Sequence, residues 1–257
     1  HFMKIVLLGA GNVATVLGKL ALDAGHTIVQ VYNRTPAKAV SISKTLGAEA
    51  IDQLSHLSHT ADLYLIAVAD SAIASIIENL HVSKGMLVHT AGSVPMSALL
   101  PASKNIGVLY PLQSLRSSRM PAAPSPLLVD ANTPDGLLLL SDFAGSLSPI
   151  VSQANDEKRL RLHLSAVMVN NFSNHLYTLA KDYCAQHGLD FRLLLPLIKE
   201  TAERLEAGDP TGWQTGPAIR NDEATMQQHL QLLESNPTLT NIYRLFSESI
   251  RAYYSSN

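Results

Sequence analysis

The sequence predicts a doubly wound, mostly parallel α/β sheet followed by an all-helical region. Three observations support this prediction. Apolar strand-like runs alternate with helical segments as far as about residue 152, a glycine-rich turn follows the first run, and only helical patterns occur from about residue 156 onward. We therefore expect an α/β domain over residues 3–152 and a helical domain over residues 153–257.

The first strand–helix–strand unit occupies residues 4–35. The apolar run Ile5–Leu8 leads into the turn Gly9–Ala14, and a helical pattern then continues to about Ala24. A second β-type run, Ile28–Tyr32, follows this helix. A strand, a glycine turn, a helix and a second strand at this spacing form the opening of a dinucleotide-binding, or Rossmann, fold.

The turn has the pattern GxGxxA, and each small residue has a physical role. Gly9 permits a tight turn, and Gly11 lets a pyrophosphate approach the backbone because it has no Cβ. Ala14 keeps the helix close to the strand. The N–H groups at the helix N-terminus are suited to bind phosphate. The alternative is a tight turn that binds no ligand.

The end of the second strand indicates which dinucleotide is bound. An NAD site has Asp or Glu about 20 residues on, where the carboxylate binds the ribose 2′-hydroxyl group. Here Asn33, Arg34 and Thr35 occupy this position, and no carboxylate is available. A guanidinium group suits a 2′-phosphate instead. The sequence therefore predicts NADP rather than NAD, the alternative for Arg34 being an ordinary solvated arginine.

Open α/β sheets bind ligands at the carboxyl ends of their strands. Later strand-like runs end near Asp70, His89 and Tyr110, and residues 114–126, rich in serine, proline and alanine, form a predicted loop close to this edge. The predicted cofactor-binding residues all lie at such strand ends: Gly9, Ala10, Gly11, Asn12, Val13, Ala14, Asn33, Arg34, Thr35, Val68, Ala69, Asp70, Thr90, Ala91 and Ser93.

The bulk composition argues against several classes of protein. With 46% hydrophobic and 16% charged residues, the chain is expected to fold around a sizeable core. A net charge of −2 without a basic block argues against a nucleic-acid partner. Cys184 is the single cysteine, and no metal-ligand spacing occurs, so we expect neither an intrachain disulfide nor a metal site. We expect a cytoplasmic protein without a membrane-spanning segment.

The helical region begins with a long uninterrupted segment. Glu157–His187 contains no proline or glycine, and its centre, Leu164–Leu179, is apolar on most sides. We expect neighbouring helices to bury this centre from more than one direction. Helical domains of this kind often build their cores across a homodimer. A second helix, Phe191–Ala207, is expected to kink at Pro196.

Three side chains are the main candidates for chemistry. His89 ends a central strand and belongs to the residue type that titrates nearest neutral pH, so it is either a general acid/base or a hydrogen-bonded strand end. Asn171 is a polar residue on an apolar helix, and it either faces the substrate or bonds another helix. Arg220 is suited to bind a substrate carboxylate, a role for which Arg116 and Arg119 compete.

Other polar residues have weaker support. His163 and His175 lie on the long helix and could also face the site, although histidines are common on helix surfaces. Asp222 is either the N-cap of a late helix or a substrate ligand. Thr90 and Ser93 either hydrogen-bond a ligand or form a turn.

Three motifs resemble those of a known family: HTAGS at residues 89–93, YPLQS at 110–114 and TGPAIRNDEATMQQHL at 215–230. Members combine a Rossmann-like NADP-binding half with a helical C-terminal domain of unknown function, and they are described as oxidoreductases without an agreed substrate. The family is similar to pyrroline-5-carboxylate reductase and, more distantly, to the β-hydroxyacid dehydrogenases. The resemblance implies hydride transfer with NADP and dimerisation through the helical domain.

One departure from these relatives affects the expected chemistry. The β-hydroxyacid dehydrogenases carry a catalytic lysine on the long helix, whereas no lysine lies between Lys158 and Lys181 here. We expect an NADP-dependent oxidoreductase that reduces the C=O or C=N group of a small, anionic metabolite held between the two domains. The main alternative is a non-catalytic NADP-binding regulator or sensor, and a lyase or isomerase that keeps the fold is a third.

Overall fold

One eight-stranded sheet organises the N-terminal part of the protein. The computed structural model describes residues 2–255. Within this range the strands are β1 (Lys4–Leu8), β2 (Thr27–Tyr32), β3 (Glu49–Ile51), β4 (Leu63–Ile66), β5 (Met86–His89), β6 (Ile106–Pro111), β7 (Leu127–Ala131) and β8 (Val151–Gln153). Their order in the sheet is β3-β2-β1-β4-β5-β6-β7-β8. Neighbouring strands run parallel except for β6 and β7, which confirms the predicted doubly wound, mostly parallel sheet.

Helices connect several of the strands and form most of the remaining described chain. Their bounds are α1 (Asn12–Asp23), α2 (Pro36–Leu46), α3 (Ile73–Ile77), α4 (Pro134–Leu147), α5 (Asp156–Ala166), α6 (Ser173–Gln186), α7 (Leu195–Ala207), α8 (Glu223–Leu232) and α9 (Pro237–Ser255). No described helix is long and apolar enough to cross a bilayer.

Both faces of the sheet are covered by apolar side chains. Along β1, Ile5 and Leu7 belong to one buried cluster, whereas Val6 and Leu8 belong to another. Successive side chains of a strand point to opposite faces, so this alternation places one core on each side of the sheet. Continuous apolar runs are typical of parallel strands buried on both faces, which explains the sequence pattern.

The chain divides into two compact units, of which the first ends at Phe172 and the second begins at Ser173. Helix α5 belongs to the first unit, where the buried guanidinium of Arg159 donates to the Val94 carbonyl oxygen at 2.6 Å. The sequence-based boundary at 152/153 stays a prediction of where an independent helical domain begins.

Two features of the helices differ from the sequence-based expectation. A π-helical segment, Val167–Phe172, separates α5 from α6 within the predicted long helix. Pro196 lies in the first turn of α7 and does not kink a helix, because a 3₁₀ turn at Phe191–Leu194 precedes it. Proline is tolerated in a first helical turn, since the N–H group it lacks has no partner there.

The expected burial of the long helix is absent from the single chain. Met168 is 52% exposed and Val169 is 74% exposed, and several other apolar residues along this helix are exposed as well. In the described part of the second unit, the buried residues are Cys184, Ala218, Met226 and Ser247. The apolar surface of these helices is therefore left largely uncovered by the chain itself.

Candidate functional site

The glycine turn after β1 packs directly against the end of β4. Gly9 has a φ of 131°, and a Cβ built on it would lie 2.3 Å from the Ala67 carbonyl oxygen. Its N–H group donates to the Tyr32 carbonyl oxygen at 2.8 Å. Both the left-handed backbone and the close approach require glycine here, so this turn brings the ends of β1, β2 and β4 together.

Gly11 has a different reason to be glycine. Its φ is −92°, which any residue adopts, and no atom lies within 4 Å of where its Cβ would be. No side chain caps α1 at Gly11, and the first turn contains no acidic residue. The space above Gly11 and the N–H groups of the first turn of α1 therefore form a cradle that fits a pyrophosphate.

A cavity of about 800 Å³ lies at the ends of β2 and β4. Its lining includes Asn33, Arg34 and Val68 from the predicted cofactor set, together with His59 and His81. Arg34 is exposed, and the side-chain amide of Asn33 donates to the Thr35 carbonyl oxygen at 3.1 Å. A cavity of this size with a cation at its edge is suited to an adenosine carrying a 2′-phosphate.

The predicted loop after β6 contacts the glycine turn. The N–H and hydroxyl groups of Ser117 donate to the side-chain oxygen of Asn12 at 2.9 and 2.7 Å. Arg116 and Arg119 flank this contact and pair with each other through a backbone bridge. The loop therefore places two arginine residues close in sequence to the point where it meets the phosphate cradle.

The ends of β4 and β5 are joined by side-chain hydrogen bonds. The hydroxyl of Ser93 donates to the carboxylate of Asp70, and the Thr90 hydroxyl donates to the Ile66 carbonyl oxygen at 3.2 Å. Asp70 and Ala69 are exposed at this edge. These contacts place Asp70, Thr90 and Ser93 on the same edge of the sheet as the glycine turn.

His89 is buried beneath this edge. Its side chain has no solvent exposure, and the Ala91 N–H group donates to its Nδ1 at 3.1 Å. Nδ1 is therefore an acceptor and the ring proton belongs on Nε2, for which we find no hydrogen-bond partner within residues 2–255. Burial lowers the pKa of His89 to about 4, and the positive charge of Arg159 acts in the same direction. The ring is neutral at pH 7.

This geometry supports the second interpretation of His89, a histidine hydrogen-bonded into the strand end. The buried guanidinium of Arg159 lies on the same side, where it donates to the Val94 carbonyl oxygen and to Asp156. Within the described residues, its Nε and Nη1 atoms also make no hydrogen bond. His89 and Arg159 together form a rigid polar layer below the HTAGS turn, and proton transfer by His89 stays a prediction.

Sequence reasoning missed the pairing of Tyr110 with His163. The Tyr110 hydroxyl and His163 Nδ1 are 2.8 Å apart, although the residues lie on β6 and α5. A Cβ on Gly92 would lie 2.7 Å from His163 Nδ1, so glycine at this position leaves room for the ring. The available signal was the glycine of HTAGS, the tyrosine of YPLQS and the histidine on the long helix, but nothing local connects them.

This pair lines a second cavity, of about 500 Å³. Tyr110 and His163 line it together with Gln113, Asn170 and Asn171. Asn170 and Asn171 belong to the π-helical segment, and such segments are frequent at functional sites. The structure thus brings the predicted candidate Asn171 together with Tyr110 and His163.

The candidate Arg220 lies in the second unit. It is exposed, and it precedes Asp222, which caps α8 by accepting hydrogen bonds from the N–H and hydroxyl groups of Thr225. The geometry therefore supports the N-cap interpretation of Asp222. These hydrogen bonds are the largest cause of the lowered pKa of the Asp222 carboxyl group. Substrate binding by Arg220 stays a prediction.

Comparisons with known proteins identify the family. Residues 4–90 match a family described as NADP oxidoreductase, coenzyme F420-dependent, and residues 125–250 match a domain of unknown function, DUF2520. A Bacteroides fragilis structure described as a putative NADP oxidoreductase is 37% identical, with 98% of each chain covered and a TM-score of 0.91. The chain belongs to this NADP oxidoreductase family. None of the curated proteins matches it.

More distant structures share the fold of the family. A pyrroline-5-carboxylate reductase from Streptococcus pyogenes is 14% identical, with 97% of this chain and 98% of that chain covered and a TM-score of 0.64. A Myxococcus stipitatus imine reductase in complex with NADP⁺ is 18% identical, with 98% and 93% covered and a TM-score of 0.62. The predicted oxidoreductase class and the predicted cofactor, NADP, are both confirmed by membership of the family.

Arg34→Ala is expected to weaken NADPH binding by about tenfold or more, because each charge-assisted hydrogen bond lost is worth roughly 1.5–3 kcal/mol. Binding of NADH, which has no 2′-phosphate, should not change. Calorimetric titration with both cofactors measures the two effects. Lys38→Ala removes another exposed cation, on α2, and is the matched control. Equal losses for both cofactors would contradict a phosphate-binding role of Arg34.

Stability should fall on acidification, partly because of His89. The unfolded chain protonates His89 below its ordinary pKa of about 6.5, whereas the folded protein resists protonation down to about pH 4. The free energy of unfolding should therefore decrease between these values, by roughly 3 kcal/mol from this residue. Urea titrations across this range measure the slope, which should be shallower in His89→Asn. An identical slope in both proteins would contradict the buried neutral ring.

Proposed function

We propose that the protein reduces the C=O or C=N group of a small metabolite with NADPH. The observation that carries this proposal is the 500 Å³ cavity lined by the Tyr110–His163 pair, because Gly92 of the HTAGS turn packs against that pair. The distant likeness to pyrroline-5-carboxylate reductase and imine reductases supports a C=N substrate, because those proteins are named for such reactions.

The cofactor and the protein contribute different parts of this reaction. NADPH, when bound, supplies a hydride. The cradle at Gly9–Ala14 would hold its pyrophosphate, and Arg34 would hold its 2′-phosphate. The strand-end residues Asp70, Thr90 and Ser93 would position the nicotinamide half, while Asn171 would orient the substrate through its amide group.

The polar groups that line the 500 Å³ cavity indicate which kind of substrate group it would bind. Its described lining residues include amide and hydroxyl groups but neither lysine nor arginine. An anionic substrate group would therefore be bound by arginines outside this lining, for which Arg116, Arg119 and Arg220 are our candidates. A neutral polar group would be bound by the amides of Gln113 and Asn170.

Four compounds test the reaction and the substrate class together. The imines 1-pyrroline-2-carboxylate and 2-methyl-1-pyrroline differ in a carboxylate, as do the carbonyl compounds 2-oxopentanoate and 2-pentanone. We expect NADPH oxidation with at least one compound, faster with the carboxylate member of its pair. Faster reduction of the neutral member would remove the anionic preference but leave the proposed reduction intact.

The alternative of an NADP-binding sensor makes the opposite prediction for this panel. Tight NADPH binding without oxidation by any of the four compounds would favour the sensor over the proposed function. The same negative result with a wider set of aldehydes, ketones and imines of similar size would then reject the proposed function. The sensor alternative is tested because no lysine lies between Lys158 and Lys181, on the long helix where the β-hydroxyacid dehydrogenases carry their catalytic lysine.

We also propose that the protein is a homodimer assembled through its second unit. Large apolar side chains of this unit are exposed in the single chain, for example Leu193 at 78% and Leu197 at 64%. Contiguous exposed apolar surface of this kind marks an interaction site. Light scattering should give twice the monomer mass, and Leu197→Glu should shift it toward the monomer. Leu138→Glu, at the equally exposed Leu138 of α4, is the control.

A further inference from the structure

We propose that Tyr110 is the proton donor of the reduction and that His163 resupplies its proton. This inference rests on the proposed function and assigns roles to a pair of residues that the sequence did not connect. The pair combines a phenol held against an imidazole with a position on the wall of a cavity large enough for a small metabolite.

Tyr110 and His163 hold each other in a fixed position. The hydroxyl oxygen of Tyr110 lies 2.8 Å from His163 Nδ1, and the rings meet edge to face with centroids 5.8 Å apart. Gly92 packs against both rings, because a Cβ there would lie 2.8 Å from His163 Cγ and 3.1 Å from Tyr110 Cζ. A catalytic group must be held in place by its neighbours, and Gly92 and the two rings fix one another.

The pair lies at the edge of the sheet that carries the cofactor-binding turn. Tyr110 lies in β6, which neighbours β5 in the sheet. Gly92 lies in the turn after β5, next to Ser93, and the Ser93 hydroxyl group donates to Asp70 at the end of β4. The phenol is therefore at the carboxyl edge of the sheet, where ligands of such folds bind. His89, in contrast, is sealed beneath the same turn. Of the two groups, Tyr110 is the one that reaches a cavity.

The surroundings of the Tyr110 phenol favour its protonated form. Burial raises the pKa of Tyr110, and the carboxylate of Asp70 raises it further, while the guanidinium of Arg159 acts in the opposite direction. The phenol therefore keeps its proton at neutral pH, as a donor must. The charged or titratable groups that face Tyr110 are Asp70, which follows β4, and Arg159 and His163 of α5.

The π-helical segment adds polar groups beside the pair. His163 lies in α5, one turn before Val167, where the π geometry begins. Asn170 and Asn171 of that segment line the cavity that also holds His163 and Tyr110. Their amide groups provide donors and acceptors beside the phenol, so that a substrate C=O or C=N group has polar partners besides Tyr110.

The proposed proton path begins with hydride transfer from NADPH. The substrate carbon accepts the hydride, its π bond to oxygen or nitrogen breaks, and the electron pair moves to that heteroatom. The heteroatom takes the proton of the Tyr110 hydroxyl group. The phenolate oxygen then takes the proton of His163 Nδ1, while Nε2 of the same ring takes one proton from solvent. After product release, exchange of the ring proton with solvent returns it from Nε2 to Nδ1. The net reaction consumes one hydride from NADPH and one proton from water.

Tyr110→Phe removes the hydroxyl group and keeps the ring, so it is the direct test. With the panel compound that the wild type reduces fastest, we expect kcat to fall about a hundredfold or more, with the affinity for NADPH unchanged. Tyr177→Phe, at a tyrosine outside the cavity, is the matched control and should retain full activity. Full activity of Tyr110→Phe would overturn the inference and leave the proposed function standing.

His163→Asn tests the second role. Asparagine can still bond Tyr110 but cannot take up and release a proton, so kcat should fall while KM stays near the wild-type value. A kcat like that of the wild type would show that His163 only packs against Tyr110, and would overturn its part of the proposal.

A spectroscopic measurement tests the site without turnover. The protein is labelled with ¹⁵N-histidine and loaded with NADP⁺, and the reduced product of the best panel compound is added, for example proline for 1-pyrroline-2-carboxylate. Binding of this product should shift the NMR signals of the His163 ring nitrogens. The shift should be much smaller in Tyr110→Phe and unchanged in Tyr177→Phe. A wild-type spectrum that does not respond would overturn the inference. If the wild type oxidises NADPH with none of the four compounds and none of the wider set, the proposed function fails and this inference fails with it.

Discussion

The contact between Gly9 and the Ala67 carbonyl oxygen is the constraint on which the functional edge depends. A Cβ at Gly9 would come within 2.3 Å of that oxygen, so the turn after β1 can pack against the end of β4 only without a side chain. The contact aligns the start of α1 with the ends of the central strands. The phosphate cradle, the Asp70–Ser93 pair and the HTAGS turn then occupy one edge of the sheet.

A second layer of interactions supports this edge from below. Arg159 is 1% exposed and bonds both the Val94 carbonyl oxygen and Asp156, which in turn accepts from the N–H group of Met96. Burial keeps His89 neutral, and the positive charge of Arg159 acts in the same direction. The same charge also acts on Tyr110. A buried charge with a single carboxylate partner is costly. Its hydrogen bond to the Val94 carbonyl oxygen ties the segment that follows the HTAGS turn to α5.

The sequence predicted the features that depend on local patterns. The apolar runs and the glycine turn identified the sheet and its cofactor edge, and Asp222 was recognised as a possible N-cap. Features set by long-range packing were not predicted. Tyr110 and His163 are 53 residues apart, and no local pattern marks the π-helical segment that carries Asn171. The expected burial of the long helix was wrong for the single chain, because hydrophobicity does not indicate whether the covering surface belongs to the same chain.

Binding of NADPH to Gly11→Ala tests the central claim most directly, namely that the β1–α1 turn is a phosphate cradle. The φ of −92° and the open space around the position mean that the new Cβ should leave the fold and the melting temperature unchanged. The same Cβ would occupy the space that the pyrophosphate needs, so calorimetry should show affinity for NADPH weakened by about tenfold or more. A variant that folds normally and binds NADPH as tightly as the wild type would contradict the account.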